Sequence, residues 1–179
     1  MTRERRWIEI NRAPVLTLWA AVVAQRAGFT KAEALTLGRA VAGLNAYSKG
    51  RSLGIFKPGK GRVAKARNDL KTGSTIHVDL LNRAVPVRRY REGIRALSKG
   101  KPVSPQSVEE YLEERFGDRL ADVRKAMMKL ARSRPPGELQ AQAYHLYEQF
   151  RPQIPGGKKG WGARGRLSLG RIRALADRP

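Results

Sequence analysis

The chain has 179 residues, 41% of them hydrophobic, which suits one domain with a buried core. It contains no cysteine, which excludes disulfides, thiolate metal sites and thiol nucleophiles. Its formal net charge of +22 is typical of proteins that bind polyanions, with nucleic acid expected first and an anionic membrane surface second.

The N-terminal part predicts a short strand or extended arm and then a helix. Residues 7–10 are amphipathic, Asn11 is a good N-cap, and Pro14 fits a first helical turn, so the helix should run over about residues 12–27. The apolar run at 15–24 is about half as long as a membrane-spanning helix. It therefore indicates a core helix.

A second helix is predicted from residue 31 onward, because Thr30 and Glu33 match a capping box. Ala34, Gly38 and Ala42 form a stripe of small residues on this helix. Such a stripe permits close backbone approach, so we expect the two helices to form a tight antiparallel pair.

A basic, glycine-rich loop follows at residues 48–62, SKGRSLGIFKPGKGR, which contains no acid. Glycine lets a backbone approach a partner closely, and Lys and Arg supply charge and donors for phosphate. The loop is not a P-loop, because Gly61 stands where Ser or Thr is required. The alternative is an ordinary solvated surface loop.

Residues 75–81 alternate and are rich in β-formers, which predicts a strand, and residues 84–88 return after a turn at Asn82-Arg83. This small hairpin near residues 75–88 should have its second strand at a sheet edge, because Pro86 lacks an N–H. Residues 90–97 predict a short basic helix, ended by a Ser98-Lys99-Gly100 turn.

Residues 104–150 predict three helices, about 105–116, 119–133 and 138–150, separated by glycine and proline. This segment carries seven Lys or Arg and eight Asp or Glu, so it is near-neutral. The excess charge lies elsewhere in the chain. Near-neutral charge argues against a groove-reading helix in this segment.

We therefore predict a mainly α (α+β) fold, in which residues 1–150 form a single compact helical domain. A basic Gly-rich tail follows at 151–179, with Trp161 between two glycines and a short helix over residues 169–176.

No catalytic constellation, metal site or cofactor is predicted. His77 and Asp79 share one face of a predicted strand, and His145 and Glu148 are spaced i, i+3 on a predicted helix. A metal site needs further ligands, and a hydrolytic site needs a nucleophile. The sequence shows no motif that supplies either.

Three basic segments remain as a binding surface: 49–72, 83–101 and 151–179. Lys and Arg neutralise phosphates, and an aromatic side chain among them can stack on a base or wedge into a minor groove. Trp161 is the best aromatic candidate, unless it is buried on the bundle. The predicted nucleic-acid-binding residues are Lys49, Arg51, Lys57, Lys60, Arg62, Arg88, Arg89, Arg91, Lys99, Lys101, Lys158, Lys159, Trp161, Arg164 and Arg166.

The segments ALTLGRAVAGLNAYSKGR and IPGGKKGWGARGR together resemble a small bacterial protein family without an established activity. The resemblance covers most of the chain and implies no mechanism.

Our first hypothesis is a cytoplasmic, non-enzymatic nucleic-acid-binding protein that contacts mainly phosphates and is weakly sequence-specific. Duplex DNA is the first choice, because separated basic segments can follow a backbone, and the protein would then be nucleoid-associated. Structured RNA, including ribosomal RNA, is the alternative. Two other hypotheses are a protein-interaction module that uses residues 104–150 and an enzyme on nucleic acid that uses His77 or His145.

Overall fold

The computed structural model describes residues 7–49, 75–154 and 164–177, and a helical hairpin is central to this part. Helix α1 spans Arg12–Arg26 and α2 spans Lys31–Lys49. The predicted capping box is present, because Thr30 N–H donates to Glu33 Oε1 over 3.0 Å and Glu33 N–H donates to Thr30 Oγ1 over 3.2 Å. Both predicted helices are confirmed.

The two helices touch at Gly38. A Cβ at this position would overlap the carbonyl oxygen of Thr17 and lie 3.0 Å from the backbone nitrogen of Ala21. Ala34 and Ala42 are also buried, so the small-residue stripe does permit the predicted close approach. Gly43 is different, because a Cβ there would meet nothing within 4 Å.

A four-stranded antiparallel meander packs on α2, in the order β2-β3-β4-β5. The strands are β2 (Thr75–Leu80), β3 (Arg83–Tyr90), β4 (Gly93–Ser98) and β5 (Lys101–Pro102). The predicted hairpin is confirmed as β2 and β3, although its turn lies one residue earlier, at Leu81-Asn82. The inward-facing residues are Val78, Leu80, Val85, Val87, Ile94 and Ala96.

The helix predicted over residues 90–97 is wrong, since β4 occupies this region. Gly93 has φ +128°, which ends the turn after β3 and lets the chain return as a strand. The Ser98-Lys99-Gly100 turn consequently joins two strands and does not end a helix. Lys99 and Gly100 have φ of +52° and +78°, the left-handed values that tight hairpin turns favour.

The edge position predicted for the strand of Pro86 is also wrong, because β3 lies between β2 and β4. The β3–β4 ladder covers only the residues from Val87 to Tyr90. Pro86 pairs with His77 of β2 and lies beyond the end of the β4 ladder. The missing N–H is thus tolerated without placing the whole strand at an edge.

The three helices predicted over residues 104–150 are confirmed as α3 (Pro105–Phe116), α4 (Leu120–Arg132) and α5 (Pro136–Phe150). They pack against α1 around Trp19. The Trp19 indole Nε1–H donates to the carbonyl of Ala143 over 2.9 Å, and its ring contacts Phe150 edge-on at 5.3 Å between centroids.

The C-terminal segment 164–177 packs on this helical core. Strand β6 (Arg164–Ser168) pairs antiparallel with β1 (Trp7–Asn11), and α6 (Leu169–Ala176) contacts α4. The predicted strand at residues 7–10 and helix at 169–176 are both confirmed. Within the described ranges, no helix is long and apolar enough to cross a membrane.

Candidate nucleic-acid interface

About half of the predicted binding residues lie outside the described part of the chain. Lys49 is the last residue of α2. The predicted residues that lie outside the described ranges are Arg51, Lys57, Lys60, Arg62, Lys158, Lys159 and Trp161.

Arg88 and Arg89 lie on different faces of the meander, because successive strand residues point to opposite faces of a sheet. Arg88 is on the outer face, where its Nε donates to Thr75 Oγ1 over 3.1 Å and where Arg95 lies directly across on β4. Arg89 is paired with the buried Ile94, on the face that packs towards α2. The structure therefore pairs Arg88 with Arg95 and separates it from Arg89.

Arg91, Lys99 and Lys101 are exposed at the turns of the meander. Arg91 precedes β4, whereas Lys99 and Lys101 follow it. A strand of this length separates its ends by roughly 17 Å. These three cations consequently lie at opposite ends of β4 and do not form one cluster.

Arg164 and Arg166 are exposed on β6, in a two-stranded ribbon with β1. In the ladder, Arg166 lies opposite Glu9 and Arg164 opposite Asn11. The Arg166 guanidinium carbon lies 5.2 Å from the centroid of the Trp7 ring. Two predicted cations therefore share one face with an aromatic residue that the sequence had not singled out.

The structure also contains an arginine cluster that the sequence analysis missed, made of Arg12 and Arg151. Arg12 begins α1, and its Nε donates to the carbonyl of Pro152 over 3.0 Å. Partial burial lowers the pKa of Arg12, and the neighbouring charge of Arg151 lowers it further. The two guanidinium groups are thus close enough to repel each other.

Tyrosine and asparagine side chains join Arg83 to this pair. Asn45 Oδ1 accepts from Arg83 Nη2 over 2.9 Å and from the Tyr144 hydroxyl over 3.4 Å. Tyr147 lies beside Tyr144, and its hydroxyl points to the carbonyl of Arg12 at 3.5 Å. Burial raises the pKa of the Tyr147 phenol, so it remains a neutral donor at physiological pH.

The N-terminal end of α1 adds positive potential at Arg12. Its N-cap Asn11 makes no side-chain capping hydrogen bond, and its first turn has no acidic residue. Helix N-termini carry partial positive charge and N–H groups that bind anions. Among the described residues, no carboxylate pairs with Arg12, Arg83 or Arg151. The neighbouring guanidinium groups of Arg12 and Arg151, without an acidic partner, are suited to a phosphate.

No local pattern reveals this cluster in the sequence. Arg12 begins one helix and Arg151 follows another, far along the chain. Packing of α5 against α1 brings Arg12 and Arg151 together.

A second cationic surface lies where α4 and α6 meet, around a groove of about 710 Å³. Lys125, Lys129, Arg132 and Arg173 line it together with one acid, Asp122. Residues 104–150 are near-neutral in total, although their cations form a local excess of positive charge at this groove. The i, i+4, i+7 spacing of Lys125, Lys129 and Arg132 is the sequence signal that would have revealed it.

The two histidines lie on separate exposed surfaces. His77 is on the outer face of β2, and His145 Nδ1 lies 4.0 Å from Glu148 Oε1 on α5. The described residues contain no group of three or more acidic or histidine side chains arranged to hold a metal ion. Comparisons of this chain with protein-family models, with curated proteins and with solved structures find no match.

Proposed function

We propose that this protein binds nucleic acid without catalysing a reaction, mainly through the phosphate backbone and with weak sequence specificity. The observation that carries the proposal is the arginine cluster at the N-terminal end of α1. Arg12 and Arg151 repel each other there, and no carboxylate pairs with either among the described residues.

A bound phosphate would relieve this repulsion. Partly buried cations without a counterion lose hydration and repel each other, whereas an anion between them forms charge-assisted hydrogen bonds of greater strength than neutral ones. Arg is particularly suited to this task, because its planar guanidinium matches phosphate oxygens in a bidentate manner.

Weak sequence specificity follows from the type of contact. Phosphate contacts fix position on a nucleic acid and carry no direct sequence information. The other described cations, on the meander turns and in the α4–α6 groove, are also suited to a backbone. The net charge of +22 would speed encounter with duplex DNA and structured RNA alike.

The proposal is tested by titrating labelled DNA duplex and labelled structured RNA at increasing salt. Affinity should fall steeply, because each neutralised phosphate contributes a slope of about −0.9 in log affinity against log salt. The variant Arg12→Gln/Arg151→Gln should reduce the slope by about 2 and weaken binding about ten-fold or more at physiological salt.

The matched control is Arg115→Gln/Arg119→Gln, which removes the same charge near the junction of α3 and α4. It should weaken binding much less, because it lowers only the general field. Equal losses in the two variants would reject the cluster as a site. An affinity for both ligands that barely changes with salt would reject nucleic-acid binding itself.

A further inference from the structure

Trp7 is the one large hydrophobic side chain that is exposed among the described residues, with 43% of its surface accessible. It lies on the outer face of the ribbon that β1 and β6 form. Its neighbours Ile8 and Ile10 point the other way, and Ile10 is buried together with Leu167 of β6. The ribbon is thus anchored by its inner face, and Trp7 is held on its outer face.

The surroundings of Trp7 are cationic. Arg166 places its guanidinium over the indole at 5.2 Å, and Arg164 follows two residues away on the same face. An exposed indole beside arginines is the combination with which proteins hold unpaired bases. The indole supplies a flat apolar surface for stacking, and the guanidinium groups supply phosphate contacts.

We propose that the outer face of the β1–β6 ribbon, with Trp7, Arg164 and Arg166, is a stacking platform for an unpaired nucleotide base. The preferred ligand is then a single strand, or an unpaired segment of a folded one. This inference rests on the proposed function and names the form of nucleic acid that the same protein takes.

The ribbon geometry fits a single strand. Residues two apart on a strand are about 7 Å apart, so Arg164 and Arg166 can reach successive phosphates of an extended chain. Asn11, opposite Arg164, precedes Arg12 of the arginine cluster. A strand that stacks a base on Trp7 is therefore directed along β6 towards the N-terminal end of α1.

A duplex fits this face less well. Its bases are already stacked and paired, so a base reaches Trp7 only if it is flipped or unstacked, which costs a few kcal/mol. Glu9 provides an internal check, because its carboxylate lies on the same exposed face, opposite Arg166. Removing that negative charge should strengthen binding of a strand there.

The test compares a short labelled oligothymidylate, an abasic strand of equal length and a duplex, at physiological salt. Trp7→Ala should weaken binding of oligothymidylate roughly five- to 150-fold and leave binding of the abasic strand unchanged. Trp7→Phe should retain most of the affinity, because phenylalanine also stacks. Glu9→Gln should bind the oligothymidylate more tightly than the unaltered protein. Parallel titrations with oligouridylate separate a preference for RNA from one for DNA.

The outcomes separate the platform from the proposed function. If Trp7→Ala binds oligothymidylate normally while Arg12→Gln/Arg151→Gln loses affinity, nucleic-acid binding stands and the platform is rejected. If the duplex binds most tightly and Trp7→Ala weakens it, Trp7 acts as a duplex wedge and the single-strand preference is rejected. If none of the strands binds at physiological salt, both proposals fail. Thermal melts show whether each variant remains folded.

Discussion

Gly38 sets the distance between α1 and α2 at the centre of the helical hairpin. Its missing side chain leaves room for the carbonyl of Thr17 and the backbone nitrogen of Ala21. A glycine inside a helix costs about 1 kcal/mol relative to alanine. Close packing of the apolar faces of the two helices offsets that cost.

Gly38→Ala should therefore destabilise the protein, by about 1–3 kcal/mol, because the added methyl forces the two backbones apart. Gly43→Ala is the matched control on the same helix. A Cβ there meets nothing within 4 Å, so alanine should stabilise the helix by up to about 1 kcal/mol. The midpoints of urea unfolding measure the stability change of each variant. Midpoints that shift in the same direction in the two variants would contradict the packing role of Gly38.

At the scale of elements, α2 and β4 are joined by side-chain hydrogen bonds to the strand backbone. Glu33 Oε2 accepts from Ile94 N–H over 2.9 Å, and Thr36 Oγ1 accepts from Ala96 N–H over 3.0 Å. Glu33 also caps α2 through Thr30. The helix thus satisfies donors of the strand that its apolar face covers.

Thr36→Val should destabilise the protein by about 1–3 kcal/mol, because it leaves the buried Ala96 N–H without an acceptor. Thr36→Ser keeps the hydroxyl and is the matched control. Amide hydrogen exchange gives the direct readout, since protection at Ala96 should fall in the valine variant and persist in the serine variant. Unchanged protection in both would show that the hydroxyl is not needed at this strand.

A second link between elements joins α3 and α4 and responds to pH. Arg124 donates to both carboxylate oxygens of Glu109, at 2.6 and 3.1 Å. These hydrogen bonds, followed by the charges of Arg124 and Lys31, lower the pKa of Glu109 below its ordinary 4.5, against the opposing effect of burial. A depressed carboxylate pKa stabilises the folded state above the ordinary value, and that stabilisation is lost as the pH falls through the lowered one.

Glu109→Gln should lower the free energy of unfolding by about 1 kcal/mol at neutral pH, because it removes a bidentate ion pair. The deficit should vanish in acid, where Glu109 is protonated in the unaltered protein as well. Glu113→Gln changes an exposed carboxylate on the same helix and is the control. Urea unfolding at several pH values measures the difference, and a deficit that persists at low pH would contradict the assignment.

The helices could be predicted from sequence because their signals are local. The capping box at Thr30 and Glu33 and the cap at Ser104 fix helix starts within a few residues. Strand β4 could not be predicted, because its alternation is short and ends in the consecutive apolar pair Ala96-Leu97, and because its partners lie on β3 and α2. Strands depend on such distant partners more than helices do.

At the scale of the whole molecule, the packing of helices and strands determines which charged side chains lie near one another. The basic segments of the sequence do not become one cluster among the described residues, since Arg88 and Arg89 lie on opposite faces and Arg91 and Lys99 at opposite ends of β4. The arginine cluster instead combines two distant parts of the chain, the start of α1 and the residue after α5. Charge totals along the sequence therefore indicated a polyanion partner but could not locate the groups that we propose to bind it.

The position of the C-terminal segment is the other whole-molecule feature, because it brings distant parts of the chain together. Leu167 and Ile172 are fully buried, and α6 is joined to α4 by Lys129–Asp177 at 3.7 Å. The Arg134 side chain also donates to the carbonyl of Leu175 over 3.4 Å. We expect residues 164–177 to unfold together with the helices in one cooperative transition, and not as a separate tail.

Ile172→Ala should consequently lower the free energy of unfolding of the whole protein by about 2–5 kcal/mol, the usual cost of truncating a buried isoleucine. Arg173→Ala, at the exposed neighbouring position, should change it by less than about 0.5 kcal/mol. Chemical unfolding followed by both far-ultraviolet circular dichroism and tryptophan fluorescence should give one coincident transition in each variant. A separate early transition in Ile172→Ala, with the main midpoint unchanged, would mean that the C-terminal segment folds independently of the core.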